Sequence, residues 1–515
     1  MSRTTRFIGG LGIGYFSMML TLVVGLWLTP FLLGRIGTHE YGLWLITTQI
    51  LGYLMLLDLG VVALAPRETA YATGRRIRGE GDDVAGTFGR FRAIVRWQVV
   101  PTALVCAVAW WIVTARWPDL RLPLAIILLA FLAAFPLRLY HATLQGLQDL
   151  SYLAKVQLAS WIAGTAVTIA LVIAGVGLAA LAAGWVVTQA ASAVACAVRL
   201  RSGFAEVWGA KAIRPSVGEA RDVFARSGWV SLSQVGQVFL NGSDMLVLGA
   251  VLGPAATVPY ACTGKLITVL ANHPQLLMQT AAPALAEMRT SATHADLVRV
   301  AGALMRAMLI GSGAVACLVL AANETFVGWW VGADQYAGMT LTILLLSVML
   351  VRHFSTTLVY ALFSFGYERR LSLTAISDGI VTLATTAVLL MTTDLGIMSA
   401  AIGSLAGVIL VSVPACSRAL AHELRIGAWE LFGSIRSWGL RFIIAAAASL
   451  LIARAIGGHG ITGVAAAGLG TAAIYGALMW PLLMEPPLGP YVRAGLSRVA
   501  GLAGLRTEAA MERRV

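Results

Sequence analysis

Residues 154–174 have the sequence AKVQLASWIAGTAVTIALVIA, and residues 177–198 have the sequence GLAALAAGWVVTQAASAVACAV. Lys155 is the only charged residue in the two runs. Because a helix rises about 1.5 Å per residue, each run is long enough to cross about 30 Å of hydrocarbon. The pattern predicts two successive membrane-spanning helices.

The remainder of the chain has the same character. Hydrophobic residues make up 58% of the 515 residues, and only 12% are charged. Ordinary soluble domains have an apolar content of about 45–50%. The formal charge of +13 could suit a nucleic-acid-binding protein, but such a protein would concentrate its cations on a soluble domain, and the sequence contains none. We therefore expect an integral membrane protein with no nucleic-acid partner.

The apolar runs predict an all-α membrane protein with about fourteen transmembrane helices. The predicted spans are residues 8–33, 42–66, 94–115, 122–144, 154–174, 177–198, 228–252, 256–280, 301–322, 338–363, 372–392, 395–414, 439–456 and 461–484.

The distribution of Lys and Arg predicts the orientation of these helices. With the N-terminus in the cytoplasm, 30 of the 37 Lys and Arg residues fall on the cytoplasmic side. Only Arg35, Arg116, Arg121 and Arg454 fall on the opposite side. Because cytoplasmic loops are enriched in positive charge, we expect an even number of crossings and both termini in the cytoplasm.

The short outer loops bear on the possibility of catalysis. The longest predicted outer loop, near residues 323–337, has about fifteen residues. A membrane-embedded glycan-processing enzyme usually needs a larger outward segment for its active site, so this alternative is disfavoured. The sequence also lacks the Gly-rich loop ending in Gly-Lys-Ser/Thr that binds ATP phosphates. We predict a transport protein rather than an enzyme, with no catalytic residue, metal or cofactor.

Two short patterns recur in the two halves of the chain. Residues 32–37 (LLGRIG) precede Tyr41, and residues 248–253 (LGAVLG) precede Tyr260. Arg138, Thr143 and Leu144 have the same spacing as Arg352, Thr357 and Leu358. The repeats predict two six-helix lobes of equal orientation, residues 1–200 and 201–415, followed by helices 13 and 14 in residues 416–485. Residues 486–515 are predicted to form a basic cytoplasmic tail on anionic lipid.

Several segments resemble a known family. They are Pro30–Gly37 (PFLLGRIG), Tyr41–Trp44 (YGLW), Leu56–Gly60 (LLDLG), Arg67–Ala70 (RETA) and Ser243–Gly249 (SDMLVLG). The chain resembles the Wzx-type polysaccharide or O-antigen flippases of the multidrug/oligosaccharidyl-lipid/polysaccharide (MOP) flippase superfamily. The resemblance implies a MATE-like pair of lobes around a central cavity, which carries undecaprenyl-diphosphate-linked oligosaccharide outward.

Polar residues inside the predicted spans are the candidates for transport, since a charge at a helix centre costs roughly 2.5–3.5 kcal/mol on insertion scales unless it faces protein or water. Helix 8 carries Lys265, Thr268, Asn272 and Gln279 at helical spacing. The predicted substrate-binding residues are Arg352, Lys265, Arg138, His141, Asn241, Asn272, Gln234 and Gln237, and the ion-coupling candidates are Asp58, Asp244 and Asp378.

The intramembrane charges allow two interpretations. Arg138, Lys265 and Arg352 could attract the diphosphate of a lipid substrate. Alternatively, Arg138 could pair with Asp58, and Lys265 with Asp244, because each pair is predicted at similar depth. No carboxylate is predicted at the depth of Arg352, which favours phosphate binding there. Likewise, the uncharged polar residues could line a cavity or join neighbouring helices.

The favoured function is a flippase of the bacterial inner membrane that works by alternating access in lipopolysaccharide or exopolysaccharide synthesis. Its expected partners are lipid-linked oligosaccharide and membrane lipids, together with a polysaccharide polymerase and glycosyltransferases. An ion-coupled multidrug antiporter of the MATE type is the main alternative, and it would depend on carboxylates rather than on cations.

Overall fold

The computed structural model describes residues 3–77, 84–214, 216–242, 244–291, 293–456 and 460–486, together with residues 488–490, 492–493 and 497. The described chain is nearly all helical and contains no strand. The predicted all-α membrane class is therefore confirmed.

The contacts divide the chain into two compact units, Met1–Val258 and Pro259–Val515. The first unit contains α1 (Arg3–Leu54), α2 (Val61–Ile77), α3 (Val84–Arg116), α4 (Arg121–Ala134), α5 (Arg138–Gly146), α6 (Leu150–Ile173), α7 (Leu178–Gly203), α8 (Ala205–Trp208), α9 (Val217–Gly242) and α10 (Asp244–Leu252).

The helix α11 (Thr257–Thr263) lies at the boundary. The second unit continues with α12 (Lys265–Ser291), α13 (His294–Trp330), α14 (Met339–Ser364), α15 (Glu368–Thr392), α16 (Met398–Gly407), α17 (Val413–Glu423), α18 (Gly433–Ile456) and α19 (Gly460–Met484). The finer division predicted from the sequence, into residues 1–200, 201–415, 416–485 and 486–515, stays a prediction.

Eleven helical segments of the described chain are long and apolar enough to span a membrane. The first, Ser17–Asp58, includes parts of the first two predicted spans, and ten others correspond to the third to sixth and ninth to fourteenth. The seventh and eighth predicted spans fall on α9 with α10 and on α11 with α12. These segments are interrupted, and α9 and α12 carry the predicted polar stripes, which lower their hydropathy.

The repeated glycines mark equivalent breaks in the helices. Gly37 interrupts α1 with a φ of +79°, and Gly253 follows α10 with a φ of +92°. Glycine adopts these angles without the steric cost of a Cβ atom. The two repeat motifs also pack together inside the first unit, because a Cβ atom on Gly42 would lie 2.1 Å from the carbonyl oxygen of Pro254.

Two further interruptions position the polar residues of the first unit. After α1, a 3₁₀ turn over Met55–Asp58 leads to Leu59 and Gly60, both with positive φ, before α2 begins. The predicted second span is therefore broken where its aspartate lies. Between α4 and α5, Phe135–Leu137 forms a 3₁₀ turn around Pro136. Arg138 is the first residue of α5.

Each unit contains a hairpin of two closely packed helices. In the first unit, α6 approaches α7 so closely that a Cβ atom on Gly184 would lie 1.8 Å from Thr168 Oγ1 and 2.6 Å from the carbonyl oxygen of Gly164. In the second unit, a Cβ atom on Gly403 of α16 would lie 2.1 Å from Thr386 Oγ1 of α15. Small residues permit this backbone approach in membranes.

Candidate functional site

The first unit contains a buried ion pair between Asp58 and Arg138. Arg138 Nη2 lies 3.0 Å from Asp58 Oδ2, and the Asp58 side chain is only 3% exposed. The backbone N–H of Gly60 donates to Asp58 Oδ1 at 2.8 Å. The 3₁₀ turn before α2 and the Pro136 turn before α5 thus bring the two charges together. The pairing predicted as one of two alternatives for Arg138 is present.

The surroundings of this pair retain unused bonding capacity. Gln98 of α3 donates through Nε2 to the backbone oxygen of Asp58 at 2.9 Å. Gln98 Oε1 and Arg138 Nη1 are both buried, and neither has a hydrogen-bond partner among the described residues. A water molecule or a polar group of a substrate could satisfy such atoms. Gln98 was not among the predicted site residues, although a buried glutamine inside an apolar helix is a recognisable signal.

Other predicted residues of the first unit occupy α5, α9 and α10. His141 lies one turn after Arg138 on α5 and is half-buried. Gln234 on α9 is half-buried, and its Oε1 atom has no partner in the described chain. Asp244 is half-buried at the first position of α10. The side chains of Gln237 and Asn241 lie outside what the structure describes.

Arg352 does have a carboxylate at its depth, so the prediction of an unpaired cation there was wrong. Arg352 Nη1 and Nη2 each lie 3.4 Å from an oxygen of Asp378, whose side chain is fully buried. Arg352 lies twelve residues before the end of α14, and Asp378 lies ten residues after the start of α15. Because these consecutive helices join through a short turn, the two positions are at nearly equal depth.

Hydroxyl groups complete this second charge pair. Arg352 donates through Nε to Ser404 Oγ at 3.1 Å and through Nη2 to the same atom at 2.9 Å. Thr382 Oγ1 donates to Asp378 Oδ1 at 3.2 Å, and Ser412 Oγ donates to Asp378 Oδ2. Ser412 ends a π-helical turn over Val408–Ser412 between α16 and α17. The arrangement satisfies both ions within the protein.

The sequence repeat around the two arginines has a structural counterpart. Thr143 Oγ1 donates to the backbone oxygen of Leu139 at 2.8 Å, and Thr357 Oγ1 donates to that of His353 at 3.1 Å. Leu144 and Leu358 are both fully buried. The arginines therefore have equivalent local settings but carboxylate partners from different helices. Asp58 precedes α2 in one unit, whereas Asp378 lies on α15 in the other.

Lys265 differs from both arginines. It is the first residue of α12 and is half-buried, and within the described part of its own unit no carboxylate forms an ion pair with it. Thr268 and Asn272 follow it on an exposed face, and their side chains donate to backbone oxygens of their own helix, those of Lys265 and Thr268. The predicted stripe is thus a polar, accessible face headed by a cation, although the Gln279 side chain lies outside the described residues. Its predicted pairing with Asp244 stays a prediction.

Comparisons with known proteins agree with this architecture. Residues 91–305 match the family described as "Polysaccharide biosynthesis protein". A multidrug resistance MATE transporter of the MOP superfamily, in an inward-facing conformation, is similar with a TM-score of 0.55 and 13% identity over 81% of this chain and 98% of that one. The lipid II flippase MurJ, in an inward closed conformation, is similar with a TM-score of 0.56 and 9% identity over 93% of this chain and 100% of that one.

No curated protein sequence matches the chain. At such low identities the structural likeness establishes the fold. The chain is therefore a polytopic membrane protein with the fold of the MOP superfamily, and residues 91–305 carry the sequence pattern of a polysaccharide biosynthesis family.

Proposed function

We propose that the chain is a flippase that moves undecaprenyl-diphosphate-linked oligosaccharide outward across the bacterial inner membrane, with both termini in the cytoplasm. The polysaccharide family match within a transporter fold supports this function. The expected partners are the glycosyltransferases that build the glycan and a polymerase that extends it, in lipopolysaccharide or exopolysaccharide synthesis.

The observation that carries the substrate assignment is the half-buried cation on α12, which heads an exposed polar face. Arg352 directs its guanidinium nitrogens to Asp378 and Ser404, so little of its bonding capacity remains for phosphate. Arg138 shares its charge with Asp58 but keeps Nη1 free of partners in the described chain. Lys265 is thus the strongest candidate for the diphosphate, with Arg138 second. Thr268 and Asn272 extend the polar face along which sugar hydroxyls could bind.

The central experiment measures flipping of a fluorescent undecaprenyl-diphosphate-linked N-acetylglucosamine in proteoliposomes. Lys265→Gln should reduce the initial rate by at least about tenfold, the effect of losing one charge-assisted bond worth about 1.5–3 kcal/mol. Lys265→Arg should recover part of that rate, because it restores the charge in a different geometry. Lys155→Gln, at an exposed lysine on α6, is the matched control and should leave the rate unchanged.

Wild-type protein that fails to flip this lipid and two other lipid-linked sugars would refute the proposed substrate class. A Lys265→Gln variant with the wild-type rate would refute the assigned site. The MATE-type antiporter alternative makes the opposite prediction. It requires drug efflux that Asp58→Asn abolishes and Lys265→Gln spares.

A further inference from the structure

The second unit contains a partly open cavity of about 150 Å³ whose lining includes neither Lys265 nor the Arg352–Asp378 pair. It lies among α12, α13, α14, α17 and the segment that follows α17. Its walls include Leu285, Met305, Ala361 and Leu420, each 3% exposed or less. Membrane protein interiors, like other protein interiors, pack closely, so an apolar cavity of this size indicates a place for an apolar ligand.

The two polar residues of the lining, Thr357 and Glu430, form hydrogen bonds with backbone groups. Thr357 donates its hydroxyl to the backbone oxygen of His353 at 3.1 Å. Glu430 accepts a hydrogen bond from the backbone N–H of Gly427 at 2.9 Å and is exposed. The cavity therefore offers little to a water molecule or a polar ligand, which needs two to four polar partners. The exposure of Glu430 places the opening beside the turn Ala428–Phe432.

The size of the cavity limits what can enter it. An engineered apolar cavity of about 150 Å³ in another protein binds benzene, a six-carbon ring. One branched five-carbon isoprene unit is of comparable size. A flexible methionine, Met305, lines the wall and can adapt to the methyl branch.

A cation on α13, one helical turn after the lining residue Gly302, favours a ligand with a negative headgroup. Arg306 directly follows the lining residue Met305 on α13, and its Nε atom is buried without a hydrogen-bond partner in the described chain. Its Nη1 atom forms an ion pair with Glu485, 3.4 Å from Oε2, and lies 3.3 Å from the oxygen of Pro486, so Nε is the donor that remains unused in the described chain. A guanidinium with an unused donor is a suitable partner for phosphate.

We propose that this cavity binds the isoprene unit nearest the phosphate of a polyprenyl phosphate lipid, with Arg306 as the cation for that phosphate. The inference rests on the proposed function, because it assigns a second subsite for the same lipid substrate. The lipid would occupy this subsite and the Lys265 site at different steps of transport, because one headgroup cannot bind both cations at once.

Gly302 allows the cavity to be filled without a clash. A Cβ atom on Gly302 would have no neighbour within 4 Å, and the residue lines the cavity. Gly328 lies on the same helix, is also half-buried and also has no neighbour within 4 Å of a Cβ atom, but it does not line the cavity. Gly302→Leu and Gly328→Leu are therefore matched variants, and both should fold.

The test uses the full-length protein in nanodiscs and a photoreactive farnesyl phosphate with its diazirine on the first isoprene unit, and mass spectrometry identifies the labelled peptides. Wild type and Gly328→Leu should be labelled in the peptides that contain Leu285 and Met305. Gly302→Leu should lose at least about 90% of that labelling, a tenfold change. Arg306→Gln should lose labelling by farnesyl phosphate but keep labelling by photoreactive farnesol, and Arg299→Gln should behave as wild type with both probes.

Three results would overturn the inference: equal labelling of Gly302→Leu and wild type, equal labelling by a phosphatidylcholine with a diazirine in its acyl chain, or an Arg306→Gln variant with unchanged labelling by farnesyl phosphate. Labelling of these peptides does not require the lipid to cross the membrane. Wild-type protein that flips lipid but is not labelled would therefore contradict this inference alone. Wild-type protein that is labelled but does not flip lipid would contradict the proposed function alone.

Discussion

Arg352 and Asp378 form a charge pair that stabilises the fold only when both residues are present. Removing the arginine leaves a fully buried carboxylate with only hydroxyl partners, and breaking a buried pair typically costs about 3–5 kcal/mol. We therefore expect Arg352→Ala to lower the amount of folded protein in the membrane and its melting temperature, before any effect on transport is considered. Fluorescence-detected size-exclusion chromatography across a temperature series measures both.

The double variant Arg352→Met with Asp378→Leu is the control for this interpretation. Replacing both charges removes the unpaired ion, so this variant should recover most of the stability that Arg352→Ala loses. If it also flips lipid normally, the pair is structural. A stable Arg352→Ala protein that has lost only transport would instead restore Arg352 as a substrate-binding residue.

At the residue scale, the sequence predicts a charge pair where the membrane depths of two charged residues can be compared. Asp58 and Arg138 could be matched by depth, and the structure pairs them at 3.0 Å. The partner of Arg352 is not evident from hydropathy, because its depth relative to Asp378 depends on the short turn between α14 and α15. Ser404 and Ser412 carry no sequence signal of their own, since serines are common in membrane helices and only packing selects these two.

At the scale of elements, the two hairpins share one arrangement of small residues and threonines. Gly184 contacts Thr168 and the backbone of Gly164 in the first unit, as Gly403 contacts Thr386 and the backbone of Thr382 in the second. By this correspondence Asp378 occupies the position that Ser160 has in α6, one turn before Gly164. The second unit thus places a charge at a hairpin position that is neutral in the first. This difference explains why Arg352 of α14 pairs with a carboxylate of the hairpin.

Close packing in the first hairpin leads to a prediction at Gly184. Gly184→Val should lower the melting temperature, because the new side chain must separate two helices whose backbones are in contact, and overpacking typically costs about 1–3 kcal/mol. Gly468→Val on α19 is the matched control, since a Cβ atom there has no neighbour within 4 Å. Equal melting temperatures of the two variants would contradict the close contact.

Helix boundaries could be predicted from the sequence only in part. The repeat motif pointed to Gly37 and Gly253, and both have positive φ. Hydropathy could not show that the second predicted span, which follows the Gly37 break within α1, is interrupted again before α2. That interruption depends on Leu59 in a left-handed conformation and on a hydrogen bond between Gly60 and Asp58, neither of which changes the apolar pattern.

For the whole molecule, the charge distribution predicts the orientation. Single cysteines at Asp119 and Ala333 should react with an impermeant maleimide added to intact cells, and cysteines at Gly81 and Ala210 should react only after permeabilisation, because Lys and Arg accumulate on the cytoplasmic side. Gly81 lies outside the described residues. The five native cysteines are all buried, so their background labelling should be low. Labelling at Gly81 from outside intact cells would reverse the predicted orientation.

The energetics of transport also belong to the whole molecule. A lipid diphosphate carries between one and two negative charges, and an inside-negative potential favours their outward movement by roughly 2.3 kcal/mol per unit charge for each 100 mV. Lys265 could cancel part of this if it moved with the headgroup, but it belongs to α12 and should change depth little while the lipid crosses. We expect flipping in proteoliposomes to accelerate when an inside-negative potential is imposed in the export direction at equal pH. Valinomycin with a potassium gradient sets the potential, and reversing the gradient should slow flipping.

A flipping rate that does not depend on the potential but follows a proton or sodium gradient would indicate ion antiport. Asp58, Asp244 and Asp378 would then be the carboxylates to replace.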